Sequence, residues 1–235
     1  DRAYSTFEPP AYYAQNLTYK DFYERYFRFQ TQYDDRVFGK NGTYFYADAK
    51  QQKTRFIVLD SQDTPSDETL PDGKIKYNSM LHFGFLQDQL EWFANVALAV
   101  PDKDWNVVVC SHATPSYRGD SERESVYNYD VALGIVDAFR KRTAYNGVGS
   151  HPDPVFAVNV AVDFTVCGGN FVAWLGGHTH HDEISTENGI VCVVTESDST
   201  ESKGHIRGTD TEQAFDILTI CPEEKKVYIT RIGNG

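Results

Sequence analysis

The chain has 235 residues, of which 40% are hydrophobic and 14% are aromatic, and its formal net charge is −12. This composition excludes disordered and collagen-like proteins and predicts one domain over residues 1–235. The acidic charge disfavours nucleic acid and anionic membrane surfaces as partners. The longest apolar runs fall short of the roughly 18 residues that a membrane-spanning helix needs, so no membrane partner is expected.

The predicted elements alternate between strands and helices and then become mostly strands. Residues 86–100 carry apolar side chains at helical spacing and end before Pro101, and a second helix begins at Asn128 and ends in the basic residues 140–142. Residues 61–80 are turn-forming and charged, which predicts a surface loop. Strands are predicted at 44–47, 55–60, 105–110, 159–165, 171–175, 190–194, 214–220 and 226–231. This order predicts a layered α/β protein with one or two mixed sheets.

Four cysteines are spread along the chain without a Cys-x-x-Cys pair: Cys110, Cys167, Cys192 and Cys221. Two of them lie in valine-rich runs that are typical of buried strands. We therefore expect reduced cysteines in a reducing compartment such as the cytoplasm, with no disulfide framework. A thiol nucleophile at Cys110 with His112 as its base is a separate hypothesis, although no orienting acid is evident.

Three histidines follow buried strands. His112 comes after the strand that ends at Cys110, and His178 and His180 follow the apolar run 171–175 and two glycines. Ligands gather at the carboxyl ends of strands in open α/β sheets, and an extended 178–180 segment would point both imidazoles to one side. Nitrogen ligands favour Zn, Mn, Fe, Ni or Co. The pattern predicts His112, His178 and His180 as metal ligands, while capping or surface roles are the plainer alternative.

The remaining histidines lack partners at metal-ligand spacing. We expect His181 either to be exposed or to contact a metal-ligating side chain without binding the metal itself. His82, His151 and His205 are expected to be surface residues.

The segments around these ligands resemble a known family. Residues 109–115 (Val-Cys-Ser-His-Ala-Thr-Pro) and 175–182 (Leu-Gly-Gly-His-Thr-His-His-Asp) are similar to the last two metal motifs of the calcineurin-like metallophosphoesterases, Gly-His and Gly-His-x-His. Ser111 replaces the usual glycine. Residues 56–60 resemble the strand between the halves of these proteins, and 214–217 with 228–233 resemble the C-terminal hairpin of a bacterial and phage branch. The resemblance implies the layered mixed-sheet sandwich of the metallophosphoesterase type, lacking its N-terminal strands.

The resemblance also implies a function, the metal-dependent hydrolysis of a small phosphoester at a dinuclear site. It implies that His112 and His178 ligate one ion and His180 its neighbour. The family's Asp-x-His, Gly-Asp-x-x-Asp and Gly-Asn-His-(Asp/Glu) motifs are not found in residues 1–40. We therefore expect the catalytic residues upstream of Asp1 and two divalent transition-metal ions in the parent protein. This chain alone is expected to be inactive and to bind at most one ion weakly.

Missing strands would expose a sheet edge and apolar faces, so we expect a homodimer or a companion fragment that completes the sheet. The alternative function is a non-catalytic binding module, or a phage or cell-surface structural module, that keeps the fold. Two further hypotheses concern loops: Tyr117, Arg118 and Asp120 shape a substrate pocket, and Asp60 and Asp63 either orient an imidazole or serve turns and caps.

Overall fold

The computed structural model describes residues 19–28, 35–65, 67–73, 75–77, 81–119, 125–197, 205–224 and 226–234. Asp120, predicted to shape a pocket, lies outside the described residues. The helices are α1 (Tyr19–Phe22, continuing as a π-helical turn Tyr23–Phe27), α2 (Gln87–Trp92, continuing likewise as Phe93–Ala97) and α3 (Tyr129–Lys141), and short 3₁₀ turns occur at Lys50–Gln52 and Pro154–Phe156. The strands are β1 (Val37–Phe38), β2 (Phe45–Ala49), β3 (Thr54–Val58), β4 (His82–Gly84), β5 (Asn106–Cys110), β6 (Ser125–Tyr127), β7 (Ala144–Gly149), β8 (Val158–Asp163), β9 (Asn170–Gly176), β10 (Glu183–Glu187), β11 (Ile190–Val194), β12 (Ala214–Cys221) and β13 (Lys226–Gly233).

A seven-stranded mixed sheet organises the described part of the chain, in the order β1-β2-β3-β5-β9-β11-β10. The four central strands β3, β5, β9 and β11 run parallel, whereas β1, β2 and β10 pair antiparallel at the two sides. Parallel neighbours require crossover connections, which α2 and α3 help to supply. The predicted α/β class with a mixed sheet is confirmed.

The strand β5 lies at the centre of the sheet and is covered on both faces, as its valine run predicts. Val107 and Val109 belong to the core that the two longer helices cover. The helical contribution consists of apolar residues on the buried sides of α2 and α3: Leu90, Phe93, Ala97, Ile135, Val136 and Phe139. This packing fixes the carboxyl ends of the central strands relative to one another.

The opposite face of the sheet is covered less completely. The antiparallel hairpin β12–β13 forms a separate two-stranded sheet, and a cavity of about 600 Å³ lies between it and residues of β9, β10 and β11. Phe215 and Ile217 of β12 do not line this cavity, and they remain exposed at 54% and 49%. A two-stranded hairpin is marginally stable by itself, so these side chains need a covering surface.

Several elements differ from the sequence prediction. β7 and β10 were not predicted, because β7 contains two glycines and β10 is a polar strand at the sheet edge. The helix α3 does begin after Asn128, but this residue has a φ of 60° and makes no capping bond. Its Nδ2 instead donates to the carbonyl oxygens of Phe85 and Phe156, at 2.9 and 3.0 Å. Among the described residues, no helix is both long and apolar enough to cross a membrane.

Candidate metal centre

The two predicted ligand loops leave adjacent parallel strands at the same edge of the sheet. β5 ends at Cys110 and β9 at Gly176, and His112 and His178 each follow two residues later. The backbone joins the loops, because Ser111 N–H donates to the Leu175 carbonyl at 3.0 Å. The His112 carbonyl in turn accepts from the N–H groups of Gly177 and His178, each at 3.0 Å. The loops are therefore held together before any side chain contributes.

The imidazoles of His112 and His178 meet at this edge. His112 Nε2 lies 2.9 Å from His178 Nδ1, a hydrogen-bond distance, and the ring centroids are 4.7 Å apart. Although His112 lies at the surface, burial of its ring lowers its pKa to about 4, and repulsion from His178 and His180 adds to the shift. His112 is therefore neutral near pH 7. A neutral ring is the form that binds metal.

Aromatic rings surround His178 and fix its orientation. Phe83 of β4 lies 4.7 Å and Tyr117 lies 4.6 Å from the His178 ring, measured between centroids. Tyr117 was predicted to lie near this site, whereas Phe83 carried no signal in the sequence. Such packing selects one ring orientation, which a ligand imidazole needs.

His180 lies in a turn and not in an extended segment, so the condition under which strand alternation would align its ring with that of His178 is not met. Its N–H donates to the Gly177 carbonyl at 3.3 Å, and its φ is 56°. The turn is made by the left-handed φ of His180 itself, whereas Gly176 leaves room for the close approach of Thr114 and the His112 carbonyl. His180 is exposed, and it is near enough to His112 for its charge to lower the pKa of that ring.

The end of the same loop is fixed to the C-terminal hairpin. Arg231 of β13 donates through Nη2 to Asp182 Oδ1 at 2.6 Å and through Nε to Asp216 Oδ1 at 2.8 Å. Asp182 also accepts from the Glu196 N–H at 2.9 Å. Although burial opposes the shift, the Arg231 bond and the Glu196 N–H lower the pKa of Asp182. The hairpin thereby supports the loop that carries His178 and His180.

Asp60 and Asp63 accept hydrogen bonds from nearby residues, as the turn and capping hypothesis predicts. Asp60 Oδ1 accepts from the Gln62 N–H at 3.0 Å, and burial raises the pKa of Asp60. Asp63 Oδ2 accepts from the Leu86 N–H at 3.1 Å and from Gln89 Nε2 at 3.0 Å, at the start of α2.

The other candidate residues have mixed outcomes, and the pocket role predicted for Arg118 stays a prediction. His82 lies in β4 and is half-buried, with its ring stacked on that of Tyr127, so it is not the surface residue that was predicted. Arg118 pairs with Glu187 at 2.8 Å in an exposed contact. His181 and His151 are exposed, whereas the side chain of His205 is fully buried and its Nδ1 lies 2.9 Å from the Glu212 carbonyl oxygen. The prediction of a surface role for His205 is therefore wrong, because a residue in a loop can still be covered by neighbouring loops.

The cysteine side chains bear on the expected lack of disulfides and on the hypothesis of a Cys110 nucleophile. All four cysteines are free. Burial raises the pKa of the Cys110 thiol to about 11, which leaves almost no thiolate at neutral pH. This disfavours the hypothesis of a Cys110 nucleophile.

The donor set fits part of a metal site. Two nitrogen ligands of one tetrahedral zinc lie roughly 3.3 Å apart, and the nitrogens of His112 and His178 are 2.9 Å apart. Across the described ranges, however, no group of three or more His, Cys, Asp or Glu side chains is arranged to hold a metal ion. The pair supplies the softer nitrogen ligands of a transition-metal site and leaves further ligands to be provided.

Comparison of the chain with protein-family models gives no match, and comparison with curated proteins gives none either. The resemblance to the calcineurin-like metallophosphoesterases therefore rests on the sequence motifs and stays a prediction.

Proposed function

We propose that this chain is the C-terminal part of a calcineurin-like metallophosphoesterase domain whose complete parent protein hydrolyses a small phosphoester. The observation that carries the proposal is the 2.9 Å contact between His112 Nε2 and His178 Nδ1 at the carboxyl ends of neighbouring parallel strands. Both residues belong to the two motifs that resemble the family. Convergence of these particular imidazoles is what that resemblance requires.

The chain's own residues have defined roles in this proposal. His112 and His178 would hold one divalent ion of Mn, Fe, Zn, Ni or Co, and His180 would face its neighbour. Two such ions, when bound, supply the Lewis acidity for in-line displacement at phosphorus. Tyr117 and Phe83 fix the ring of His178 and keep water from one side of it. The remaining ligands and the catalytic residues would come from a companion segment upstream of Asp1.

The same reasoning makes the isolated chain inactive. A pair of imidazoles without a bridging carboxylate would bind at most one ion weakly. The exposed apolar side chains of the β12–β13 hairpin, among them Phe215 and Ile217, support a companion fragment or a second copy that covers them. Light scattering and the proton NMR spectrum of the isolated chain test this point. A stable monomer with a well-dispersed proton spectrum would contradict it.

The test of the metal role compares two histidine variants of the full chain. We expect the unmodified chain to bind zinc in calorimetry, His178→Ala to lose that binding, and His151→Ala to retain it. His151 is the matched control because it is an exposed histidine in a different loop. Equal zinc binding by both variants would show that the imidazole pair is not the site.

The test of the reaction uses bis(4-nitrophenyl) phosphate with manganese or zinc. The chain alone should show no hydrolysis above the buffer rate, whereas a version extended upstream of Asp1 should be active. A non-catalytic binding module is the second candidate, favoured because the described residues contain no group of three or more His, Cys, Asp or Glu side chains arranged to hold a metal ion. It predicts no hydrolysis and no stoichiometric metal in either version.

A further inference from the structure

We propose that Ser111 is a positioning residue that sets the geometry of the His112–His178 imidazole pair. This inference rests on the metal-binding function proposed above for that pair and names the residue on which its geometry depends. Ser111 stands where the related motif has glycine, so its hydroxyl is a feature of this chain.

The Ser111 hydroxyl connects the two strands that carry the histidines. Its Oγ donates to the Ala113 carbonyl at 2.6 Å and accepts from Trp174 Nε1 at 2.7 Å. Ser111 directly precedes His112 on the loop after β5, whereas Trp174 lies in β9, four residues before His178. One hydroxyl therefore fixes the loop of one histidine to the strand that positions the other.

The far end of this connection is rigid. Trp174 is 0% exposed, and its ring packs against Phe85 and Phe93 with centroid distances of 6.1 and 6.0 Å. An indole in such packing has one orientation, so its N–H points in one direction. The Ser111 hydroxyl is thus bonded to a fixed point of the core.

The loop is also held from the other side of His112. Ala113 N–H donates at 3.0 Å to Ser61 Oγ, and Ser61 is 1% exposed. The residues immediately before and after His112 are therefore both anchored through buried hydroxyls. With its neighbours fixed, His112 has little backbone freedom, and its ring is directed to His178.

The chemistry of the contact restricts what can replace Ser111. The hydroxyl acts as donor and acceptor at once, which threonine can reproduce and alanine cannot. Without it, the indole N–H and the Ala113 carbonyl lose a buried partner, and the loop must shift to satisfy them. The backbone hydrogen bonds already hold the two loops together, so we expect this oxygen to set the precise distance and orientation of the two imidazoles.

The experiment measures the imidazole pair directly in the full chain, with and without zinc. Long-range ¹H–¹⁵N spectra report the ring tautomers of His112 and His178, and calorimetry reports zinc affinity. The variants are Ser111→Ala, Ser111→Thr and Trp174→Phe. The last removes the indole donor and also leaves a smaller ring in the core, since Trp174 is fully buried. Thr54→Ala is the matched control. Thr54 carries a buried hydroxyl that donates to the Gln52 carbonyl, and it lies at the amino end of β3, whereas the histidines follow the carboxyl ends of β5 and β9.

In the zinc-free state we expect fixed tautomers in the unmodified chain and in Ser111→Thr, and averaged ring signals in Ser111→Ala and Trp174→Phe. Zinc affinity should fall about tenfold or more in the latter two, as for other residues that orient ligand histidines. The Thr54→Ala control should change affinity by less than about threefold. If Ser111→Ala does not fold, Trp174→Phe decides between the same outcomes.

The outcomes separate this inference from the proposed function. Unchanged ring signals and zinc affinity in folded Ser111→Ala, or in Trp174→Phe if that variant decides, would overturn the assignment of Ser111. If the unmodified chain binds no zinc, the metal-binding function fails, and the zinc-free spectra alone decide the role of Ser111. Averaged signals in the alanine variant together with fixed signals in the threonine variant would then still support it.

Discussion

A pair of adjacent glycines offers a direct test of how closely the two ligand loops pack. A Cβ on Gly176 would lie 2.6 Å from Thr114 Cγ2, 3.0 Å from the His112 carbonyl oxygen and 3.1 Å from that of Ser111. A Cβ on Gly177 would have only the Thr195 carbonyl oxygen near it, at 4.0 Å. Neither glycine has a positive φ, so alanine differs between them only in the space it meets.

The magnitude follows from these contacts. Thr114 is 1% exposed and two of the three obstructing atoms are backbone oxygens, so the atoms around Gly176 cannot move aside without lowering the stability of the fold. Overpacking of this kind costs about 1–3 kcal/mol, and the reduced freedom of the unfolded chain returns about 0.4–1 kcal/mol. We therefore expect Gly176→Ala to lower the free energy of unfolding by about 1–2 kcal/mol. Gly177→Ala should be neutral or stabilising by up to about 1 kcal/mol.

The assay is urea unfolding of both variants beside the unmodified chain, followed by zinc calorimetry. For a chain of this size the loss in Gly176→Ala corresponds to a fall in Tm of about 2–8 °C. Zinc binding should weaken in the same variant, because the His112 carbonyl that would be displaced accepts from Gly177 and His178. Equal stability of the two variants, or a larger loss in Gly177→Ala, would refute the close packing of the loops.

Two other predictions concern the sheet itself. Arg55 forms a buried ion pair with Asp48 at 2.7 Å and also donates to the carbonyls at the end of α2. Arg55→Met should therefore lower the free energy of unfolding, measured in urea, by about 3 kcal/mol. Adding Asp48→Met should recover part of that loss, and a double variant whose loss equals the sum of the single losses would contradict the pairing. Burial raises the pKa of both Cys110 and Cys192 to about 11, so both thiols should resist iodoacetamide at pH 8 in the folded chain. Because the folded pKa of each thiol lies above its unfolded value, the free energy of unfolding keeps its full value below about pH 8.5 and should fall as the pH rises towards 11. Rapid alkylation of either thiol at pH 8 in the folded chain would show that it is accessible as thiolate.

The central sheet could be predicted because its strands are strongly marked in the sequence. β5 and β11 consist mostly of consecutive apolar residues, a pattern that predicts strands covered on both faces. β5 is covered in this way, whereas β11 leaves Val191 38% exposed. The edge strand β10 has the opposite character, since Glu183–Glu187 is polar and mostly exposed. Its pairing with β11 is decided by the tight turn at Asn188 and Gly189, both with positive φ, and not by hydrophobic pattern.

The candidate site was predictable to the level of the strands and no further. That His112 and His178 meet follows from two strand ends at one edge of a parallel sheet. The ring contacts of Phe83 could not be foreseen, because β4 is three residues long and pairs with the equally short β6. The turn at His180 depends on a single left-handed φ that non-glycine residues adopt rarely.

The imidazole pair is held in place by the protein and not by the ion it is proposed to bind. The His112 carbonyl accepts two N–H groups from the other loop, and the Ser111 hydroxyl is bonded to a fixed indole. Because burial keeps His112 neutral, the two rings can approach to 2.9 Å without the repulsion of two positive charges. Most of the conformational entropy that two ligand side chains lose on binding a metal has therefore already been lost when the chain folds. The affinity of this chain for a metal ion should accordingly be limited by the number of ligands, so that a companion segment contributing carboxylates would raise it steeply, whereas tighter packing of the loops would change it little.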